Sequence, residues 1–127
     1  HGGFVLFDPK QRRCLQRYLT GQAIFPVLED TISHRGKRYL WAGNLGSGLH
    51  RFDIATKEIK NYAHDAANPH SFIGRAVFWA NFDKQKRLWF GSMNGLSLYR
   101  PATDDFENFT HEKANPRSLS CNYVECV

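Results

Sequence analysis

The 127-residue sequence has only three cysteines, Cys14, Cys121 and Cys126. The count is odd, and the spacings match neither a disulfide framework nor a zinc-ligand set. Long apolar runs are also missing. The longest, such as Ala76-Val77-Phe78-Trp79-Ala80, fall far short of the roughly 20 residues that cross a bilayer as a helix. No basic segment followed by an apolar run begins at His1, so no signal peptide is read there. Catalytic signatures are scarce. There is no Gly-x-Ser-x-Gly elbow and no cysteine–histidine pairing with an orienting partner. Asp83, Asp104 and Asp105 offer no second carboxylate at a separation suited to acid–base work. Nothing in the residues supports catalysis, and no cofactor is implied.

Acidic residues are the minority, leaving a formal net charge of +5. The basic runs Lys10-Gln11-Arg12-Arg13, Arg35-Gly36-Lys37-Arg38 and Lys84-Gln85-Lys86-Arg87 all fall between predicted strands, with no aromatic platform interleaved. They read as solvated turns rather than a nucleic-acid surface.

What the sequence does contain is repetition. Leu88-Trp89-Phe90-Gly91-Ser92-Met93-Asn94-Gly95-Leu96-Ser97-Leu98-Tyr99-Arg100 reads as two strands around a turn in which Asn94 and Gly95 tolerate positive φ. Leu40 to Asp53 is a second copy, with one extra residue in the turn. Gly2 to Pro9 is a partial third. Gly3, Gly48 and Gly95 become equivalent, at intervals of 45 and 47 residues. A period of about 40 to 50 residues carrying several short strands is the signature of a propeller blade. The inter-strand segment His64-Asp65-Ala66-Ala67-Asn68-Pro69-His70-Ser71-Phe72 returns at the same length as His111-Glu112-Lys113-Ala114-Asn115-Pro116-Arg117-Ser118-Leu119. Strands converge on apolar residues whatever their origin, so a matched loop is the stronger evidence. In it Asn-Pro sets a turn, the serine bonds nearby backbone, and Phe72 or Leu119 plugs a gap between blades.

The fold class expected is all-β: a β-propeller fragment of about two and a half four-stranded antiparallel blades. Residues 2–18 would end one blade, 23–63 and 75–110 would each form a whole blade, and 122–127 would begin the next. Within them, strands are expected at Gly2–Asp8, Cys14–Tyr18, Ala23–Glu29, Tyr39–Gly43, Gly48–Asp53, Glu58–Ala63, Arg75–Asp83, Leu88–Ser92, Gly95–Arg100, Asp105–Thr110 and Asn122–Val127. Pro26 interrupts the third of these. The turn from Asp30 to Arg38 is longer than its counterpart at Asp83 to Arg87 and should protrude. Cys14 stands where Ile59 and Phe106 stand later, which suggests a small buried residue. Cys121 and Cys126 fall on opposite faces of a strand, against a mutual disulfide. A closed propeller takes about four to eight blades, so the sequence reads as an excerpt whose open edges invite pairing.

The composite of Leu-Trp-x-Gly, Gly-Leu-x-x-Tyr/Phe and Asn-Pro-x-Ser resembles the two-component regulator propeller repeat, over nearly the whole chain. That resemblance implies the periplasmic sensor region of a hybrid histidine kinase in the inner membrane. Such a region detects oligosaccharides, works as a homodimer in the parent protein, and signals to kinase and receiver domains that this segment lacks. By the resemblance the remaining blades of the parent chain are partners, and the segment itself is not an enzyme. Arg100, where the other copies carry Asp8 and Asp53, departs from the pattern and predicts a differently held turn.

Propeller geometry gathers the inter-blade loops, the turns between second and third strands, and the starts of the inner strands on one face, where small ligands sit. Arg75, Asn122 and Tyr123 are candidates at strand starts, and Asn44, Met93 and Asn94 in the turns. A sugar needs an aromatic face and bidentate polar groups. Arg75, Trp79, Asn94 and Asn122 are therefore the ligand-binding candidates. Trp79 equally suits packing between blades, and Asn94 a positive-φ turn. Arg75 has the best claim because its equivalent, Asn122, differs. His64 and His111 are repeat equivalents, which favours a shared structural hydrogen bond over metal ligation.

Two alternatives compete with the sensor reading. The first is a propeller scaffold for protein interaction or dimerisation. The second is a propeller-type lyase or glycan hydrolase, which needs acids or histidines clustered in the channel.

Overall fold

The computed structural model describes residues 4–19 and 23–121. Among them there is no helix, and ten strands form three antiparallel sheets. A hairpin pairs β1 (Phe4–Asp8) with β2 (Arg13–Tyr18). The first four-stranded sheet runs in the order β3 (Ile24–Asp30), β4 (Tyr39–Asn44), β5 (Leu49–Asp53) and β6 (Ile59–Tyr62). The second runs β7 (Val77–Phe82), β8 (Leu88–Ser92), β9 (Gly95–Arg100) and β10 (Asp105–Phe109). Each is an up-and-down meander, and β3 and β7 lie side by side. The stretch 122–127, with Asn122, Tyr123 and Cys126, and the positions of Gly2 and Gly3 lie outside the described residues.

Two expected strands change. Arg75 is not in a strand, because its N–H donates to Asn94 Oδ1 at 3.2 Å and its carbonyl accepts from Gly48 N–H at 3.2 Å. Both backbone groups are taken by turns, and β7 starts at Val77. Near Pro26 the strand persists instead of breaking. The register with β4 jumps between Ile24 and Val27, and this irregularity absorbs the missing ladder donor.

The two large sheets pack face to face. Cross-strand pairing puts Leu28, Trp41, Arg51 and Lys60 in one row of the first sheet, with Gly43, Leu49 and Tyr62 in the next. This face meets Leu88, Phe90, Tyr99 and Phe106 of the second sheet, and Phe72 from the connecting loop sits in the same core. Trp41, 1% exposed, lies 4.8 Å from Tyr99, 5.3 Å from Phe90 and 5.4 Å from Tyr62, ring centre to ring centre. Phe72 lies 5.2 Å from Phe106, filling the space between sheets. Burying a side chain of this size contributes about 1.5–3 kcal/mol, so this aromatic cluster is what holds the sheets together.

The copies match beyond their sequence. Arg12, Lys57 and Asp104, three unlike residues at intervals of 45 and 47, all have left-handed backbone, with φ of 54°, 66° and 54°. Phe7 pairs with Cys14, Phe52 with Ile59, and Tyr99 with Phe106, at the same intervals. The Asp8 and Asp53 carboxylates each accept two backbone N–H groups of the turn that follows. At Arg100 the turn is instead held by a two-pronged pair with Asp105, at 2.7 and 2.8 Å.

Cys14 is exposed, contrary to expectation. Its equivalent Phe106 is buried because the first sheet covers it, whereas nothing among the described residues covers that side of the hairpin. The long turn after β3 also differs from a simple protrusion. Asp30 Oδ1 accepts the Ile32 and Ser33 N–H groups, and the turn then carries His34 across to Tyr99 of the second sheet, 2.9 Å from its hydroxyl.

Candidate functional site

One end of the sheets gathers the turn 44–48, the approach to β7 and the turn at Met93–Asn94. Gly48 N–H reaches Arg75 O, Met93 N–H reaches Ala76 O at 3.1 Å, and Arg75 N–H reaches the Asn94 side chain. Glycine is required at two corners of this end. A Cβ at Gly48 would stand 2.5 Å from Tyr62 O, and one at Gly95 would stand 2.5 Å from Phe109 O, the equivalent atom. Their φ values of 90° and 144° are unfavourable for any L side chain.

Arg75 and Asn94 are thus brought together, with the Arg75 side chain exposed. Asn94 does not adopt the expected positive φ, which Gly95 takes instead. Its side chain serves as the acceptor for Arg75. Asn44 is buried, and its Oδ1 accepts Gly46 and Ser47 N–H at 2.8 and 3.0 Å, which makes it a turn-former. Met93 is exposed. Trp79 lies elsewhere, in a cleft of about 410 Å³ on the outward face of the second sheet with Asn81, Asp83 and Trp89. Asn122 and Tyr123 lie outside the described residues.

The two long loops are built alike. Ser71 Oγ accepts Asp65 N–H at 2.9 Å, as Ser118 Oγ accepts Glu112 N–H at 2.8 Å. Asn68 and Asn115 side chains each accept the N–H two residues on, at 3.0 Å. The first loop also covers an edge strand: Phe106 N–H donates to His70 O at 3.0 Å, and Asn108 Nδ2 donates to Ser71 O at 2.7 Å. The histidines do not share a bond, however. His111 Nδ1 meets Leu119 O at 2.5 Å, and among the described residues His64 has no counterpart contact.

A second polar constellation bridges the sheets. Asp104 projects from the β9–β10 turn and accepts from Tyr99 OH at 2.6 Å, Tyr62 OH at 2.7 Å and Arg51 Nη1 at 3.0 Å through Oδ1, and from Lys60 Nζ through Oδ2. Tyr99 gives its single hydroxyl proton to Asp104, so its oxygen is the acceptor for Arg51 Nη1 and for an N–H at His34 Nε2. The Arg51 guanidinium lies 4.4 Å from the centre of the Tyr39 ring. Burial alone would raise the Asp104 pKa, but the Lys60, Tyr99 and Tyr62 donors and the Arg51 charge outweigh it and hold the group at about 2. Burial, together with the Asp104 carboxylate, pushes both phenols above their ordinary range. A cleft of about 620 Å³ opens beside this network, with Lys37, Tyr39, Asp53, Thr56 and Glu58 in its walls.

Sequence reasoning passed over this constellation. The signal available was non-recurrence: Arg51, Lys60 and Tyr62 become Leu98, Glu107 and Phe109 one repeat later. Chemically the cluster is a set of satisfied, oppositely charged groups that locks two sheets. Among the described residues no three of His, Cys, Asp and Glu are grouped so as to hold a metal. In comparisons with known proteins, no family model and no curated protein matches the chain.

Proposed function

We propose that the sheets are successive blades of a β-propeller, about two and a half of them, and that the propeller is the ligand-sensing region of a hybrid histidine kinase. The observation that carries this reading is the repeated unit itself: a four-stranded meander, an Asn-Pro-x-Ser loop whose internal bonding is the same in both copies, and first strands β3 and β7 side by side. The resemblance to the two-component regulator propeller repeat supplies the biological part. In it, oligosaccharides meet the loop end, where Arg75 and Asn94 already join and Asn122 would stand at the next strand start. The remaining blades come from the parent chain, the parent is a homodimer, and the ring lies in the periplasm as part of an inner-membrane protein. No helix among the described residues is long and apolar enough to cross a membrane. The segment has no enzymatic role of its own in this reading.

The test is twofold. The full reading frame should continue into a membrane helix and histidine-kinase motifs, and their absence overturns the sensor assignment. Calorimetric titration of the complete ring with oligosaccharides should give binding that Arg75→Ala weakens. A ring that binds no saccharide but self-associates supports the scaffold reading.

A further inference from the structure

The cleft of about 620 Å³ opens on the face of the first sheet that meets the second, at the end of the strands opposite Arg75 and Asn94. Every residue in its walls is described, and none belongs to the outer faces that further blades would cover. Ile59 and the Tyr39 ring apart, those walls are charged or hydroxyl-bearing. A cleft of this size has room for about two sugar rings, and such walls suit a ligand rich in hydroxyls rather than an apolar one.

Arg51 gives the cleft its particular chemistry. Its guanidinium sits among the rings of Tyr39, Trp41 and Tyr62, whose centres are 4.4, 5.7 and 5.7 Å away, and the side chain is 14% exposed. Only Nη1 is engaged, by Tyr99 OH and Asp104 Oδ1, each at 3.0 Å. Among the described residues Nε and Nη2 have no hydrogen-bond partner, yet they are not sealed in, because the Tyr18 hydroxyl is the one buried side-chain polar atom there without a partner. These two nitrogens form one edge of the planar fork, and that edge matches the two oxygens of a carboxylate. The charge agrees: Arg51 and Lys60 share the single Asp104 carboxylate, which leaves a positive charge in excess beside the open edge. At the rim, Asp53 and Glu58 are cross-strand neighbours of like charge, with Asp53 N–H donating to Glu58 O at 2.9 Å. Such neighbours cost stability, and in the second sheet the same two positions hold the ion pair of Arg100 with Asp105. Glu58 is exposed and its carboxylate pairs with nothing among the described residues, so it is left to accept hydroxyl protons.

We propose that this cleft binds an acidic saccharide of the uronate class, with its carboxylate on the Nε–Nη2 edge of Arg51 and its hydroxyls on Glu58 and the polar groups beside it. The guanidinium is already fixed by three rings and Asp104, so little side-chain freedom is lost on binding. A ligand here bears on the contact between the sheets, since the same arginine holds Tyr99 and Asp104 of the second sheet. Nothing in this assignment draws on the Arg75 end, so its failure leaves the sensor reading standing.

Calorimetric titration of the full chain with disaccharides of glucuronate, galacturonate and mannuronate tests it, beside their neutral counterparts and inorganic phosphate. At least one uronate should bind at least about tenfold more tightly than its neutral counterpart and than phosphate. Arg51→Lys keeps the charge and loses the fork, and should weaken that binding at least about tenfold. Glu58→Ala should weaken it about threefold through the lost hydroxyl contacts, whereas mere attraction of an anion predicts tighter binding once a negative charge is removed. The exposed Glu58 position decides the matter should Arg51→Lys lose its β-type circular dichroism. A chain that binds no uronate, or binds the neutral sugar or phosphate equally well, overturns the proposal. So does uronate binding that Glu58→Ala tightens or leaves unchanged. Saccharide binding that falls with Arg75→Ala and not with Arg51→Lys supports the sensor reading and overturns this one.

Discussion

Lys57 and Asp104 occupy the same corner of successive sheets, each the left-handed residue of the turn before the outermost strand, yet only Asp104 reaches across to the neighbouring sheet. The backbone repeats, and the side-chain chemistry does not. From that division the consequences of substitution at the two positions separate.

Lys57→Gly removes the cost of a Cβ at positive φ and should raise stability by about 0.5 kcal/mol. Asp104→Gly gains the same backbone relief but strands Arg51 and two phenols. It should lower stability by about 2 kcal/mol. Urea midpoints with unchanged m-values would establish the contrast.

Acid should release the same clasp. The folded pKa of Asp104 is depressed from 3.8 to about 2. Its contribution is therefore complete above the unfolded value and is lost as pH falls through the folded one. The stability difference between wild type and Asp104→Asn should be largest near neutrality and shrink between those two pKa values. A difference that stays constant on acidification contradicts the assigned network.

Alanine at Gly48 or Gly95 meets a carbonyl oxygen at 2.5 Å and an unfavourable φ at once. Each should cost about 2–3 kcal/mol. Gly36→Ala has a positive φ of 74° but open space around it, and should cost less. Ranking the three by thermal or urea unfolding separates steric collision from backbone strain.

Trp41→Phe should destabilise more than Trp89→Phe. Both indoles donate to an aspartate, but Trp41 is sealed between sheets, whereas Trp89 lies on the open face.

The strand order, the period and the bonding of the two long loops were legible in the sequence, because each depends on neighbours a few residues away: a turn proline, a serine three residues past an asparagine, an apolar alternation. Arg100 announced its differently held turn for the same local reason. What escaped depends on distant partners. Cys14 has the sequence position of a core residue, and its exposure follows from which sheet covers which. Asn94 looked like a positive-φ residue, but Gly95 beside it takes that conformation more cheaply and leaves the asparagine to hold Arg75. The Asp104 network joins residues 34, 51, 60, 62, 99 and 104, and no window of sequence contains them together. Of the four ligand-site candidates, Arg75 and Asn94 meet, Trp79 belongs to another face, and Asn122 lies outside the described residues.

The equivalence of the two sheets is tested most directly at their tryptophan indoles, by NMR of the Nε1 protons. Trp41 donates to Asp30 at 3.0 Å, eleven residues before it, and Trp89 donates to Asp83 at 2.8 Å, six residues before it, across turns of different length. Asp30→Asn should shift and speed the exchange of the Trp41 indole proton alone, and Asp83→Asn that of Trp89 alone. An indole proton indifferent to its own aspartate would show that the two sheets are not copies of one unit.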